Sequence, residues 1–113
     1  MCIVAFHWRP KPSPSLVLAG NRDELYDRPT APLAWWPGGR VLAGKDLQAG
    51  GTWLGVSRAG HCALLTNHRS PHQTRAGRPS RGQLPVGFLE GERSARDFLE
   101  ALRPEAIRSC RAA

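Results

Sequence analysis

A chain of 113 residues is sized for one domain with a modest core, and 41% hydrophobic against 22% charged residues excludes a disordered polymer. Twelve glycines and ten prolines count against a helical bundle and for a turn-rich β or α+β fold. The net charge of +7 comes mostly from scattered arginines without interleaved aromatics, so weak attraction to polyanions is expected but no specific nucleic-acid site.

Cys2, Cys62 and Cys110 are an odd number without paired spacing, which counts against a disulfide framework and for a reducing compartment. No apolar run suits a signal peptide, and none approaches the roughly 20 residues of a membrane span. A cytoplasmic location is the expectation.

Residues 2–8 are rich in β-branched and aromatic side chains and predict a strand; apolar residues on both of its faces predict a central one. Residues 9–15 hold three prolines and predict a turn. Residues 16–20 predict the returning strand. A symmetric hairpin then sets Cys2 opposite residues 20–22. Residues 21–29 leave the sheet, and residues 28–32 are extended or turned. Trp35 and Trp36 are adjacent, so in an extended segment they cannot both face one core. One packs under a loop or meets a ligand or partner.

Residues 40–44, 52–57 and 61–67 predict three more strands, with Gly60 suited to the tight turn between the last two. Gly50 and Gly51 lack the lysine and spacing of a phosphate-binding loop and instead let two backbones approach closely. Residues 68–83 predict a long, arginine-bearing loop. Residues 84–90 open a helix that Gly91 breaks. Ser94 caps a clearer one over 95–102, with Asp97 at the capping-box position and an apolar stripe at 95, 98, 99 and 102.

Cys2 is the strongest chemical signal. Aminopeptidases remove an initiator methionine when a small residue such as cysteine follows. Removal of Met1 would place an α-amine, ordinarily titrating near ~8, on the residue that carries the thiol. That amine can take the thiol proton directly or through one water, so the nucleophile needs no histidine. Arg22 would favour the thiolate, and Asp23 would orient the ammonium or bind substrate. Acyl transfer also needs donors for the tetrahedral oxyanion. Asn67 could donate from its side chain and His68 from its backbone N–H; alternatively Asn67 caps a turn. His7, His61, Cys62, His68 and His72 carry no CxxC pattern, and His61 and Cys62 face opposite sides of a strand, so neither a metal site nor a resident cofactor is expected.

Met1-Cys2-Ile3-Val4, Asn21-Arg22-Asp23-Glu24, the phrase Arg28-Pro29-Thr30-Ala31-Pro32-Leu33, Trp35-Trp36, Ala49-Gly50-Gly51-Thr52-Trp53-Leu54-Gly55 and Leu65-Thr66-Asn67 resemble, in order, the NRDE family, which includes the transport and Golgi organisation proteins. The family in turn is similar to N-terminal nucleophile (NTN) hydrolases, in the cysteine branch with penicillin V acylase and bile salt hydrolase. The resemblance implies an α+β fold of NTN-hydrolase-like αββα type with mainly antiparallel strands, incomplete here. Residues 1–103 would be the N-terminal part of an NRDE domain and 104–113 a divergent tail. It implies an amide hydrolase acting on a linear, non-peptide C–N bond, with Cys2 as nucleophile and Asp23 as the acidic residue after the second strand. Arg22 immediately precedes that aspartate, whereas the branch's arginine lies a few residues earlier. Asn67 and His68 fall where an oxyanion donor is expected, and Trp35, Trp36 and His68 are the candidate substrate contacts. Two other expectations are a non-catalytic carrier or chaperone for haem or another hydrophobic metabolite, using Trp35 and Trp36, and an inactive truncated remnant. The partners implied are thus a small-molecule substrate or haem.

Overall fold

The structure is a computed structural model, and it describes residues 2–13, 15–66 and 79–102. Two antiparallel sheets and two short helices make up the described chain. Strand β1 (Ile3–Arg9) pairs with β2 (Ser15–Asn21) in a two-stranded sheet. The register runs without a shift from Ile3 opposite Asn21 to Arg9 opposite Ser15, so the two strands form a regular hairpin. Strands β3 (Thr30–Trp35), β4 (Val41–Asp46), β5 (Leu54–Ser57) and β6 (Cys62–Leu64) form the second sheet as a meander in sequence order. Pro32 lies within the register shift between Ala31 and Ala34, on an edge strand where its missing N–H costs no ladder bond.

Helices α1 (Gln83–Glu90) and α2 (Ala95–Ala101) follow. Helix α1 buries Pro85, Val86, Phe88 and Leu89, and packs against β5 and β6. The core is Val41 and Ala43 of β4 with Phe88 and Leu89 of α1. Alternation along β4 explains the layering: Val41 and Ala43 turn to the helix, while Leu42 and Gly44 turn the other way and line a cleft toward β2. Gly55 is the bare position under Leu89; a Cβ there would lie 2.9 Å from both Leu89 Cδ1 and Ala43 Cβ.

The capping signal at α2 is realised as read. Ser94 Oγ accepts the Asp97 N–H at 3.1 Å and donates its hydroxyl to Asp97 Oδ2 at 2.7 Å. The apolar stripe of α2 fills its partner less well. Phe98 meets the Phe88 ring at 5.2 Å, but Leu99 stays 65% exposed. Ala95, Phe98, Leu99 and Leu102 line a groove of about 310 Å³ beside β6 and α1 rather than filling it.

Apolar residues on both faces predicted a central strand; among the described residues β1 pairs with β2 alone. Its register gathers Val4, Phe6 and Trp8 on one face with Leu16 and Leu18. Phe6 nevertheless stays 71% and Trp8 52% exposed.

Candidate functional site

The hairpin register carries Cys2 to the end of the sheet where Asn21 to Glu24 leave it. Ile3 N–H donates to Asn21 Oδ1 at 3.1 Å and ties the two segments beside Cys2. The Asp23 N–H then donates to Cys2 Sγ at 3.4 Å. A backbone N–H aimed at sulfur is a hydrogen bond that a thiolate accepts more strongly than a neutral thiol does. The structure therefore brings Cys2, Arg22 and Asp23 together, and does so through backbone pairing.

Opposite charges fix the next layer. Arg22 Nη2 lies 2.9 Å from Glu24 Oε2 and 3.9 Å from Asp46 Oδ2. Arg28 reaches the same Asp46 oxygen from Nε at 3.0 Å and Nη2 at 2.8 Å, and stands 3.7 Å from Glu24. Two guanidinium groups and two carboxylates thus neutralise one another. Asp46 is only 5% exposed. Burial pushes its carboxyl up, but hydrogen bonds from Arg28 and from the Ala49 and Gln48 N–H groups outweigh that and hold it below the usual carboxylate range. The Arg28 guanidinium is correspondingly pushed up, chiefly by its hydrogen bond to Asp46 and against its own burial.

A cavity of about 30 Å³ opens at Cys2, lined also by Arg22, Asp46, Gly51, Thr52, Trp53, Leu65, Ser80 and Gly82. That volume suits a water or a single reacting group rather than a whole substrate. Its wall depends on the close approach foreseen at the double glycine. A Cβ on Gly51 would fall 2.5 Å from the Gly82 carbonyl carbon. The bare α-carbons let Thr52 N–H reach Gly82 O at 3.1 Å, while Ser80 Oγ accepts the Gly82 N–H at 3.2 Å. Trp53 presents its ring to Arg22, with Cζ 4.3 Å from the centroid.

Beyond Trp53 lies a cleft of about 740 Å³ between the two sheets, lined by Leu16, Leu18, Leu33, Leu42, Leu54, Val56 and others. Trp53 belongs to both linings. Cys62 lines this cleft, and burial pushes its thiol up, away from the thiolate form.

The other expected residues lie elsewhere. Trp35 is 45% exposed under the Arg58 guanidinium, 4.2 Å from its ring. Trp36 donates its indole N–H to Ala43 O at 3.2 Å and meets Lys45 at 4.7 Å. The adjacent tryptophans thus take different surroundings, and neither lines the Cys2 cavity. Asn67 and His68 lie outside the described residues, as does His72. Among the described residues no three His, Cys, Asp or Glu side chains gather as a metal site. No described helix is long and apolar enough to cross a membrane.

Sequence reading sets Glu24 at this strand end with the rest of the charged quartet, but missed Arg28, Asp46, Thr52, Trp53 and Ser80 as parts of this region. Asp46 before a polar, glycine-ended connector does signal a side-chain-capped turn. Nothing in its local sequence names Arg28 as its partner.

The family model for Transport and Golgi organisation 2 matches residues 1–109. The Transport and Golgi organization protein 2 homolog of Bos taurus is 38% identical over 113 residues, spanning 93% of this chain and 41% of that protein. The homolog of Mus musculus is 37% identical over the same shares. Transport and Golgi organization protein 2 of Drosophila melanogaster is 40% identical over 70 residues, 56% of this chain and 24% of that protein. The chain therefore spans about 41% of the length of the mammalian relatives it matches.

Proposed function

The chain belongs to the Transport and Golgi organisation 2 family, and from that premise we propose that its Cys2 cavity performs acyl transfer on a linear, non-peptide C–N amide bond. The observation that carries the reading is the Asp23 N–H directed at Cys2 Sγ at 3.4 Å, in a cavity that Arg22 also lines. Removal of Met1 frees the α-amine of Cys2. That amine takes the thiol proton, and sulfur attacks the amide carbonyl carbon. As the tetrahedral adduct collapses, the C–N bond breaks. The α-ammonium returns its proton to the departing nitrogen, leaving a thioester on Cys2 and a free amine. Water, deprotonated by the same α-amine, then cleaves the thioester and releases the carboxylic acid. Asn67 and His68 are the proposed oxyanion donors. Arg22 offsets the charge on sulfur, and its guanidinium is held by Glu24.

The test pairs Cys2→Ala with the parent chain on a panel of small N-acyl amides. Loss of turnover and of the acyl–enzyme mass in the variant supports the reading. Turnover unchanged in Cys2→Ala, or full retention of Met1 in an active preparation, overturns it.

A second reading is a carrier or chaperone for haem or another hydrophobic metabolite. The apolar cleft of about 740 Å³ supports it, rather than Trp35 and Trp36. Spectral titration with haem tests it: saturable binding that survives Cys2→Ala and is lost in Leu42→Asp is the expected outcome, and binding indifferent to Leu42→Asp counts against it.

A further inference from the structure

The phrase Gly51-Thr52-Trp53-Leu54-Gly55 has so far explained only a close backbone approach. Its tryptophan sits where three things meet. The indole lies over Gly44 of β4: a Cβ there would be 3.0 Å from Trp53 Cη2 and 3.2 Å from Cζ2, so the bare α-carbon makes the seat. The Trp53 carbonyl accepts the Leu65 N–H at 2.8 Å, which ties its backbone to another residue of the cavity wall. The Arg22 guanidinium lies over its ring, with Cζ 4.3 Å from the centroid.

A planar guanidinium stacked on an indole is held in orientation as well as position. The Arg22 side chain is only 16% exposed, so water competes weakly for that contact. A second guanidinium–tryptophan pair among the described residues, Arg58 over the half-exposed Trp35, lies away from the cavity. Asp46 contributes less to holding Arg22, because its closer partner is Arg28 at 2.8 Å against 3.9 Å for Arg22. Glu24 grips Arg22 at 2.9 Å, and the Trp53 ring supplies the platform.

We propose that Trp53 is a positioning residue: seated on Gly44, it holds the Arg22 guanidinium at the Cys2 cavity and so sets the reactivity of the Cys2 thiol. The inference rests on the reading of Cys2 as nucleophile with Arg22 as its cation, and it adds a residue that acts on the sulfur through Arg22. It also gives Gly44 a purpose, since a Cβ there would press the indole aside by a few tenths of an ångström.

The test is peptide-resolved alkylation by iodoacetamide across a pH series. It compares the parent chain with Trp53→Leu, Trp53→Phe, Gly44→Ala and Arg22→Met. A cysteine-bearing reference peptide in the same reaction normalises the reagent, because Trp53 and Gly44 also line the cleft that Cys62 faces. Trp53→Leu is expected to slow Cys2 alkylation about tenfold at pH 7 and to leave it within about twofold at pH 10, the pattern of a weakened cation–thiolate interaction. Trp53→Phe, which keeps an aromatic face, should stay near the parent, and Gly44→Ala should fall between. A role in packing alone would lower stability without moving the Cys2 pH profile. If Trp53→Leu does not fold, Trp53→Phe and Gly44→Ala carry the comparison: a Gly44→Ala profile identical to the parent's overturns the proposal. If Arg22→Met shifts the profile and Trp53→Leu does not, Trp53 has no positioning role while the nucleophile reading stands. If Arg22→Met itself leaves the profile unchanged, the cation role in that reading fails and this inference with it.

Discussion

The β1–β2 hairpin and the helix-backed sheet are built on different principles, although both are antiparallel and apolar. In the sheet, Ala43 and Leu89 are each 1% exposed and meet over Gly55. In the hairpin, Phe6, Trp8 and Val17 are all more than half exposed. Packing holds one region; ladder bonds and turn geometry hold the other. The Cys2 site lies at the junction and is fastened by polar contacts: Ile3 to Asn21, Asp23 to Cys2, Arg22 to Glu24 and Arg28 to Asp46. A nucleophile on a thinly packed strand end keeps its position only if such contacts substitute for a core.

That contrast can be broken most forcefully at Leu89. Leu89→Ala should cost about 3 kcal/mol of unfolding free energy, read from denaturant midpoints at constant slope. Asp46→Asn comes next, at about 2 kcal/mol, because it removes the charge that Arg28 faces in a nearly water-free setting. Its signature is also a pH effect. The folded-state titration of Asp46 is depressed below that of the unfolded chain. Its stabilisation is therefore fully present above the ordinary carboxylate value and is lost as pH falls through the folded value. The parent's acid destabilisation should be shallower in Asp46→Asn over that window; parallel acid limbs would contradict the assignment.

Gly51→Ala should cost about 1.5 kcal/mol, since its Cβ would collide with the Gly82 backbone. It should also slow Cys2 alkylation by deforming the cavity wall, which Leu89→Ala should not do while the chain remains folded. The smallest effect belongs to the hairpin: Phe6→Ser should change stability by less than about 0.5 kcal/mol. A loss at Phe6 comparable to that at Leu89 would show that the hairpin face is packed in solution, and would remove the distinction between the two regions.

Much of this arrangement was legible in the sequence because it depends on local rules. Three prolines between two apolar runs define a hairpin, and hairpin symmetry brings residue 2 to residues 20–22. Ser94 with Asp97 defines a helix start, and the double glycine defines a close approach. What escaped depends on contacts between distant segments. Arg28 and Asp46 are joined by strand pairing that neither neighbourhood encodes. Trp53 looks like an ordinary strand residue until Gly44 and Arg22 are placed on either side of it. Trp35 and Trp36 attracted attention as a pair, yet their rings are occupied by Arg58 and Lys45 away from the cavity. Two neighbouring aromatics reveal a two-sided segment, and the sheet decides what each side meets.

The central claim is that Cys2, freed of Met1, is the nucleophile. It is tested most directly by intact-mass and peptide mass spectrometry after exposure to a β-lactone electrophile, which acylates a reactive thiol by ring opening. The account predicts a chain lacking Met1, carrying one adduct that maps to Cys2, with Cys62 unmodified at the same exposure. A chain that retains Met1, or an adduct that maps to Cys62 while Cys2 stays free, would contradict it.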